Sequence, residues 1–378
     1  SPTPKGYEPF YLSSYARHGS RWLCDGNQYL DVINPLKEAH QQGKLTQEGE
    51  RLLSIVEEFY QGAKGRLGEL TTKGEDQHHR IGMRMAQNFP QIFNAKNSRV
   101  DARSTVVIRC ILSMEAECEE LARYFRNLTI RNDVSNTYQW YLAPNTPPFV
   151  REAEKGRDGL ETKWRQELVH PERFSAQIFN DESYSRTNVN CERLMRRVFD
   201  VCCNMQSHYG APNLWSYFTE EEAYDLWTLY NRRHYSEFGA SKYTQGKAPF
   251  KVQVLLKNFL ETADTIVGRK DYHGATLRFG HEVYLMPLAA IMELGHVGET
   301  IENTDTLDRV WVNSNIFPMG GNIQLVFYRP KKGKDGDILV KALLQEREVT
   351  LPVTPVKFPY YKWEDLRKYY LRKLASVQ

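Results

Sequence analysis

The chain has 378 residues, enough for two or more lobes at the usual ~100–200 residues each. Hydrophobic residues make up 41% and charged residues 26%, and a formal net charge of +3, from 50 basic and 47 acidic side chains, excludes a general nucleic-acid binder. No apolar run approaches the ~20 residues needed to span a bilayer, and the six cysteines lack the spacing of a structural zinc site.

In chain order, Phe10, Tyr11, Leu12 and Tyr15, with Ser13 and Ser14 between them, predict a strand. That strand delivers Tyr15-Ala16-Arg17-His18-Gly19-Ser20-Arg21-Trp22 to a loop. A short helix is expected over 34–43, capped by Asn34 with Pro35 at its first position. A stronger one covers 46–60, where Leu52, Leu53, Val56 and Phe59 recur at helical spacing. Thr71 is placed as the cap of a helix that carries Ile81, Met85 and Phe89 and ends before Pro90. The stretch 98–111, with Val100, Val106, Val107 and Ile108, reads as a strand, after which Ser113 opens a helix over 114–125.

From about Thr129 the texture changes, and 150–265 is helical in pattern with few strand signals. The stretch 275–279 predicts a strand leading into Gly280-His281-Glu282, followed by an apolar helix over 283–294. Strands are expected over 311–317, 323–328 and 338–344, the last two joined as a hairpin by the polar turn 331–337, a solvated tip. A closing amphipathic helix covers 363–374. The expected fold is α/β: a mixed-sheet core flanked by helices, formed by 1–128 and 266–378, with a helical cap inserted at 129–265.

Three of these stretches carry chemistry at the predicted ends of strands. His18 is flanked by Arg17 and Arg21, whose planar guanidinium forks match phosphate oxygens and never lose their charge. Like charges disfavour the imidazolium, so His18 is expected as a neutral nucleophile. Arg109 stands four residues before Ser113, and His281-Glu282 follows Gly280. If the three strands are neighbours, three arginines, two histidines and a carboxylate share one pocket. Such a set suits phosphoryl transfer through a covalent intermediate, with a carboxyl group protonating the departing oxygen.

At this point the sequence resembles the histidine acid phosphatases, branch 2 of the histidine phosphatase superfamily. The motifs stand as Arg17-His18-Gly19-Ser20-Arg21, then Leu70-Thr71-Thr72-Lys73-Gly74-Glu75, then Arg109-Cys110-Ile111-Leu112-Ser113, then His281-Glu282. Arg109-Cys110 and the loop Phe317-Pro318-Met319-Gly320-Gly321-Asn322 look most like the inositol polyphosphate phosphatase and phytase-like members. The resemblance implies His18 as the phosphorylated nucleophile. It implies Arg17, Arg21, Arg109 and His281 around the scissile phosphate, and Glu282 as the proton donor. It also implies a small-molecule phosphate ester as substrate, no cofactor and no metal. With a chain that begins at Ser1, it implies a periplasmic or secreted location. The sequence departs from the family pattern at Trp22, where a proline is usual, and at His281-Glu282, where His-Asp or His-Ala-Glu is usual.

Other residues compete for attention. Arg103 rivals Arg109 as a phosphate contact. His78 and His79, adjacent on a helix, are expected to be solvated, with one of them lining the cleft as the alternative; Arg232, Arg233 and His234 are expected on a solvated helix face, with a rim for further phosphates as the alternative. His208, His273 and His296 are placed as structural or exposed, and Gly320-Gly321 as a tight turn. The competing function is an organic-phosphate binding protein with weak or no turnover, suggested by the His281-Glu282 pair. A phosphomutase shares the nucleophile, but the long helical insertion suits a bulky substrate.

Overall fold

The computed structural model describes residues 1–377. Its strands are β1 (Tyr7–Arg17), β2 (Arg99–Ser104), β3 (Thr129–Val134), β4 (Gly274–Gly280), β5 (Asn322–Pro330), β6 (Leu339–Leu344), β7 (Arg347–Val349) and β8 (Tyr361–Lys362). They form one mixed sheet in the order β3-β2-β4-β1-β5-β6-β7, with β8 beside β6. β1 to β4 are parallel, while β5, β6 and β7 run antiparallel to their neighbours. β1 is buried from Pro9 to Arg17, the near-continuous burial of a central strand covered on both faces.

Side-chain alternation sends residues of the sheet into two cores. Tyr11, Tyr15, Ile323, Leu325 and Phe327 pack on one face with the helices Gln253–Val267, Glu282–Ile291 and Trp363–Ala375. Leu12, Ala16, Leu277, Phe279 and Val326 pack on the other with Thr72–Asn88 and Ile108–Tyr124. The parallel strands β1 and β4 end in register, Arg17 opposite Gly280, so the loops after them start side by side. In an open α/β sheet that carboxyl edge is where ligands bind.

The chain forms two compact units. The first comprises 1–19, 74–158 and 234–378 and contains the whole sheet; the second comprises 20–73 and 159–233. The second unit is built of helices, among them Asn27–Gln41, Gln47–Ala63 and Cys191–Met205. Thr46 caps Gln47–Ala63 by accepting from Gly49 N at 3.1 Å. This division differs from the expected insertion at 129–265. That segment opens with β3, which pairs with β2, and closes with Gln253–Val267, whose Leu255, Leu256 and Phe259 belong to the first unit's core. The helices at 27–63 instead belong to the second unit.

Four local expectations are corrected. The first helix begins at Asn27, with Pro35 inside it, because Tyr29, Val32, Ile33 and Leu36 form one buried stripe whose packing outweighs the lost hydrogen bond. Val106 and Ile108 are exposed, β2 stops at Ser104, and the next helix starts at Ile108, so Ser113 does not open it. The stretch 311–317 is no strand: Trp311 and Ile316 bury beside the short helices Leu307–Val310 and Asn313–Ile316. Their odd spacing would put them on opposite faces of a strand. β3 was hidden because it is a polar edge strand, with Arg131 and Asn132 exposed. All six cysteines are free, and no helix among the described residues is long and apolar enough to cross a membrane.

Candidate active site

The backbone between the end of β1 and Gly19 is fully partnered. Arg17 N donates to Gly321 O at 2.7 Å, His18 N to Gly280 O at 3.0 Å, and Gly320 N to His18 O at 3.0 Å. Arg17 O accepts from His78 Nε2 at 3.0 Å. Gly19 N donates to Ser113 Oγ at 3.0 Å, and that hydroxyl donates to Arg109 O at 2.7 Å. A fixed backbone leaves the His18 side chain little freedom to wander.

His18 is fully buried, and its Nδ1 lies 2.8 Å from Gly19 O. A carbonyl only accepts, so Nδ1 carries the hydrogen and Nε2 carries the lone pair. Burial first, and the Arg17 charge after it, lower the His18 pKa to about 3. The ring is therefore neutral, with its free nitrogen turned toward Glu282, whose Oε2 is 3.5 Å away.

Between pH 6.5 and about 3 the unfolded chain protonates His18 and the native chain does not. Stability contributed by this group therefore falls as the pH drops through that window, by ~1.4 kcal/mol per unit at most. His18→Asn removes the titrating group, so urea unfolding between pH 6 and 4 is expected to show a shallower loss of stability than in the parent.

Gly19 is required by contact. A Cβ there would stand 2.2 Å from Gly74 O, a backbone atom at the start of the helix segment that crosses behind the loop. Two of the sequence motifs thus meet glycine to glycine. Gly19→Ala is expected to cost about 3 kcal/mol, since neither backbone can yield as a side chain would, and chemical denaturation measures it.

Around His18 the charges are arranged at the mouths of three elements. Arg17 places Nε 3.3 Å from Glu282 Oε2, while its Nη1 donates to Phe317 O at 2.6 Å and its guanidinium lies over the Phe317 ring. His281 caps the helix Glu282–Ile291 with extended backbone, and its N donates to the Tyr15 hydroxyl at 3.2 Å. That hydroxyl is where a Cβ on Gly280 would fall, at 2.0 Å. The His281 ring sits 5.6 Å from that of His18, with Nε2 3.2 Å from Thr105 Oγ1 and Nδ1 3.5 Å from Arg109 Nη2. Burial pushes the neighbouring Cys110 thiol up to about 12, so it stays protonated and unreactive.

His18, His281 and Glu282 offer three ligand atoms within 4.8 Å of one another. Two guanidinium groups stand against that same trio, Arg17 at Glu282 and Arg109 at His281. Fixed positive charge at those positions suits an anion better than a cation.

A family model described as the histidine phosphatase superfamily, branch 2, matches residues 15–345. The chain belongs to that family. It is therefore a histidine phosphatase, a phosphoric monoester hydrolase. Human multiple inositol polyphosphate phosphatase 1 is 21% identical over 98% of this chain and 80% of its own. The Bifidobacterium longum multiple inositol polyphosphate phosphatase, solved with inositol hexasulfate, superposes with a TM-score of 0.73 at 19% identity, covering 98% of this chain and 93% of that one. A phytase from D. castellii superposes with a TM-score of 0.70 at 13% identity, covering 99% and 81%.

Of the residues singled out in sequence, the histidine phosphatase fold brings Arg17, His18, Arg109, His281 and Glu282 into one cluster within the first unit. Arg109 comes from the first turn of Ile108–Tyr124, not from a strand end. Arg21 belongs to the second unit, where Nη1 donates to Trp22 O at 2.8 Å. Trp22 packs against His208 and Phe59. Arg103 instead donates to the Tyr141 hydroxyl and lies over the Tyr138 ring.

Two readings are overturned by burial. His78 is fully buried beneath the loop, and Arg232 is 7% exposed beside Glu167. The signal for His78 was present in the sequence. It shares one helical stripe with Gly74, Ile81 and Met85, all buried. Gly320-Gly321 is the tight turn expected, with Gly320 at φ 71° and Gly321 N donating to Pro318 O.

Proposed function

We propose that this histidine phosphatase hydrolyses inositol polyphosphates through a phosphohistidine formed on Nε2 of His18. The observation that carries the proposal is a neutral ring whose lone pair faces Glu282, with Arg17, Arg109 and His281 as the surrounding polar groups. In the first half-reaction Nε2 attacks phosphorus, the N–P bond forms as the ester P–O bond breaks, and the Glu282 proton passes to the departing alkoxide. In the second, water attacks phosphorus, its proton goes to Glu282, and the N–P bond breaks to release orthophosphate.

Arg17, Arg109 and His281 hold the non-bridging oxygens. A phosphate arriving beside Glu282 brings like charge next to the carboxylate, which favours the protonated, donating form. Inositol polyphosphates are chosen as substrates because the human and Bifidobacterium longum relatives are inositol polyphosphate phosphatases. An exported location, periplasmic or extracellular, accompanies this reading, and cell fractionation tests it.

The test is phosphate release from inositol hexakisphosphate and from p-nitrophenyl phosphate without added metal, from pH 4 to 7. Turnover of both is expected. Tight binding of the hexakisphosphate with no phosphate released anywhere in that range would favour a binding protein instead.

A further inference from the structure

Of the backbone groups from Arg17 to His18, three are held by other backbone: Arg17 N by Gly321 O, His18 N by Gly280 O, and His18 O by Gly320 N. No substitution removes those partners. The fourth, Arg17 O, is held by a side chain, His78 Nε2 at 3.0 Å. It is the carbonyl of the peptide unit that joins the phosphate-facing arginine to the nucleophile.

His78 is itself held from behind. Its Nδ1 lies 2.9 Å from Glu117 Oε2, and the two side chains are 0% and 1% exposed. The Arg17 carbonyl accepts only, so Nε2 must carry a hydrogen. The remaining proton then lies between Nδ1 and the carboxyl group, on one or the other. In both arrangements the pair is neutral overall, and in both the ring presents Nε2–H to the loop. Burial raises the Glu117 pKa while His78 opposes it, consistent with a proton retained in the pair. Both residues project from buried helix stripes, His78 beside Ile81 and Glu117 beside Met114 and Leu121. Buried polar groups on such stripes are expensive unless paired.

We propose that His78, oriented by Glu117, is a positioning residue for catalysis: it pins the Arg17 carbonyl and thereby sets where the Arg17 guanidinium and the His18 ring meet the substrate phosphorus. It touches neither substrate nor reacting atoms. The proposal rests on His18 being the nucleophile. A misplacement of about 1 Å at a reacting centre costs on the order of 10²-fold in rate, so a lost clamp is visible in kcat.

Four variants separate the possibilities in one assay, phosphate release from p-nitrophenyl phosphate. His78→Leu fills the volume without a donor and is expected to lower kcat ~10- to 100-fold with KM changed less than ~3-fold. His78→Gln restores an N–H at that reach and is expected to recover at least ~10-fold of the loss, a rescue that packing alone cannot produce. Glu117→Gln donates to Nδ1 of a neutral ring and leaves Nε2–H in place, so kcat is expected to stay within ~3-fold of the parent. His18→Ala reports on the underlying reading. Parent-like kcat in His78→Leu, or His78→Gln as slow as His78→Leu, overturns the positioning role while His18→Ala is inactive. An active His18→Ala overturns the nucleophile assignment itself. Should His78→Leu fail to fold, a slow but folded His78→Gln overturns the proposal equally.

Discussion

Replacing His18 with alanine is expected to lower phosphate release by ~10⁴-fold or more while leaving inorganic phosphate binding within a few-fold of the parent. The rate falls because the N–P bond has no other atom to form on. The Cys110 thiol stays protonated, and the His281 ring is engaged by Thr105 and Arg109. Binding survives because Arg17 is fixed independently of the imidazole, by Phe317 O and by its own backbone bonds to Gly321 and His78. Steady-state kinetics and phosphate titration of the same preparation read the two effects separately.

The second large effect is expected at Glu282, and it depends on the leaving group. Glu282→Gln keeps the side chain's shape and its place 3.5 Å from His18 Nε2 but cannot give a proton away. On an inositol phosphate, where a poor alkoxide must depart, the first half-reaction is expected to slow ~10²- to 10⁴-fold. On p-nitrophenyl phosphate the leaving phenolate needs no proton, so that step is expected to lose far less. Dephosphorylation still needs a base to activate water. With this substrate the variant should therefore release one equivalent of nitrophenol in a burst and then stall as a phosphoenzyme. Equal slowing of the first half-reaction on both substrates, with no burst of nitrophenol, would remove Glu282 from protonation of the leaving group.

The part of the fold carried by local pattern was legible in the sequence. The apolar runs of β1, β4, β5 and β6 belong to strands buried almost continuously, and nothing local competes with them. The helix at 47–63 had its apolar stripe in view. Where β-branched residues face solvent, as at Val106 and Ile108, strand propensity misled, because propensity reflects packing that is absent there. β3 was invisible for the converse reason: it is held by pairing with β2 and has little apolar surface to announce it.

In the site, the motif residues could be named because their chemistry is unusual at that spacing. Their supports could not. His78 meets Glu117 39 residues away and Arg17 O 61 residues away, and Ser113 meets Gly19 94 residues away. Those contacts belong to the packing of the helices Thr72–Asn88 and Ile108–Tyr124 on one face of the sheet, which no local window encodes. The close approach of Gly19 to Gly74 is of the same kind: each glycine was visible in sequence, and the reason for both is that they touch.

Covalent transfer to His18 can be seen by trapping the intermediate. The enzyme is mixed with ³²P-labelled ester, quenched in alkali, where a phosphoramidate survives, and digested for site mapping. Label is expected on Nε2 of His18, released as orthophosphate on acidification. Turnover with no labelled protein, or label on any other residue, would rule out a phosphohistidine at His18.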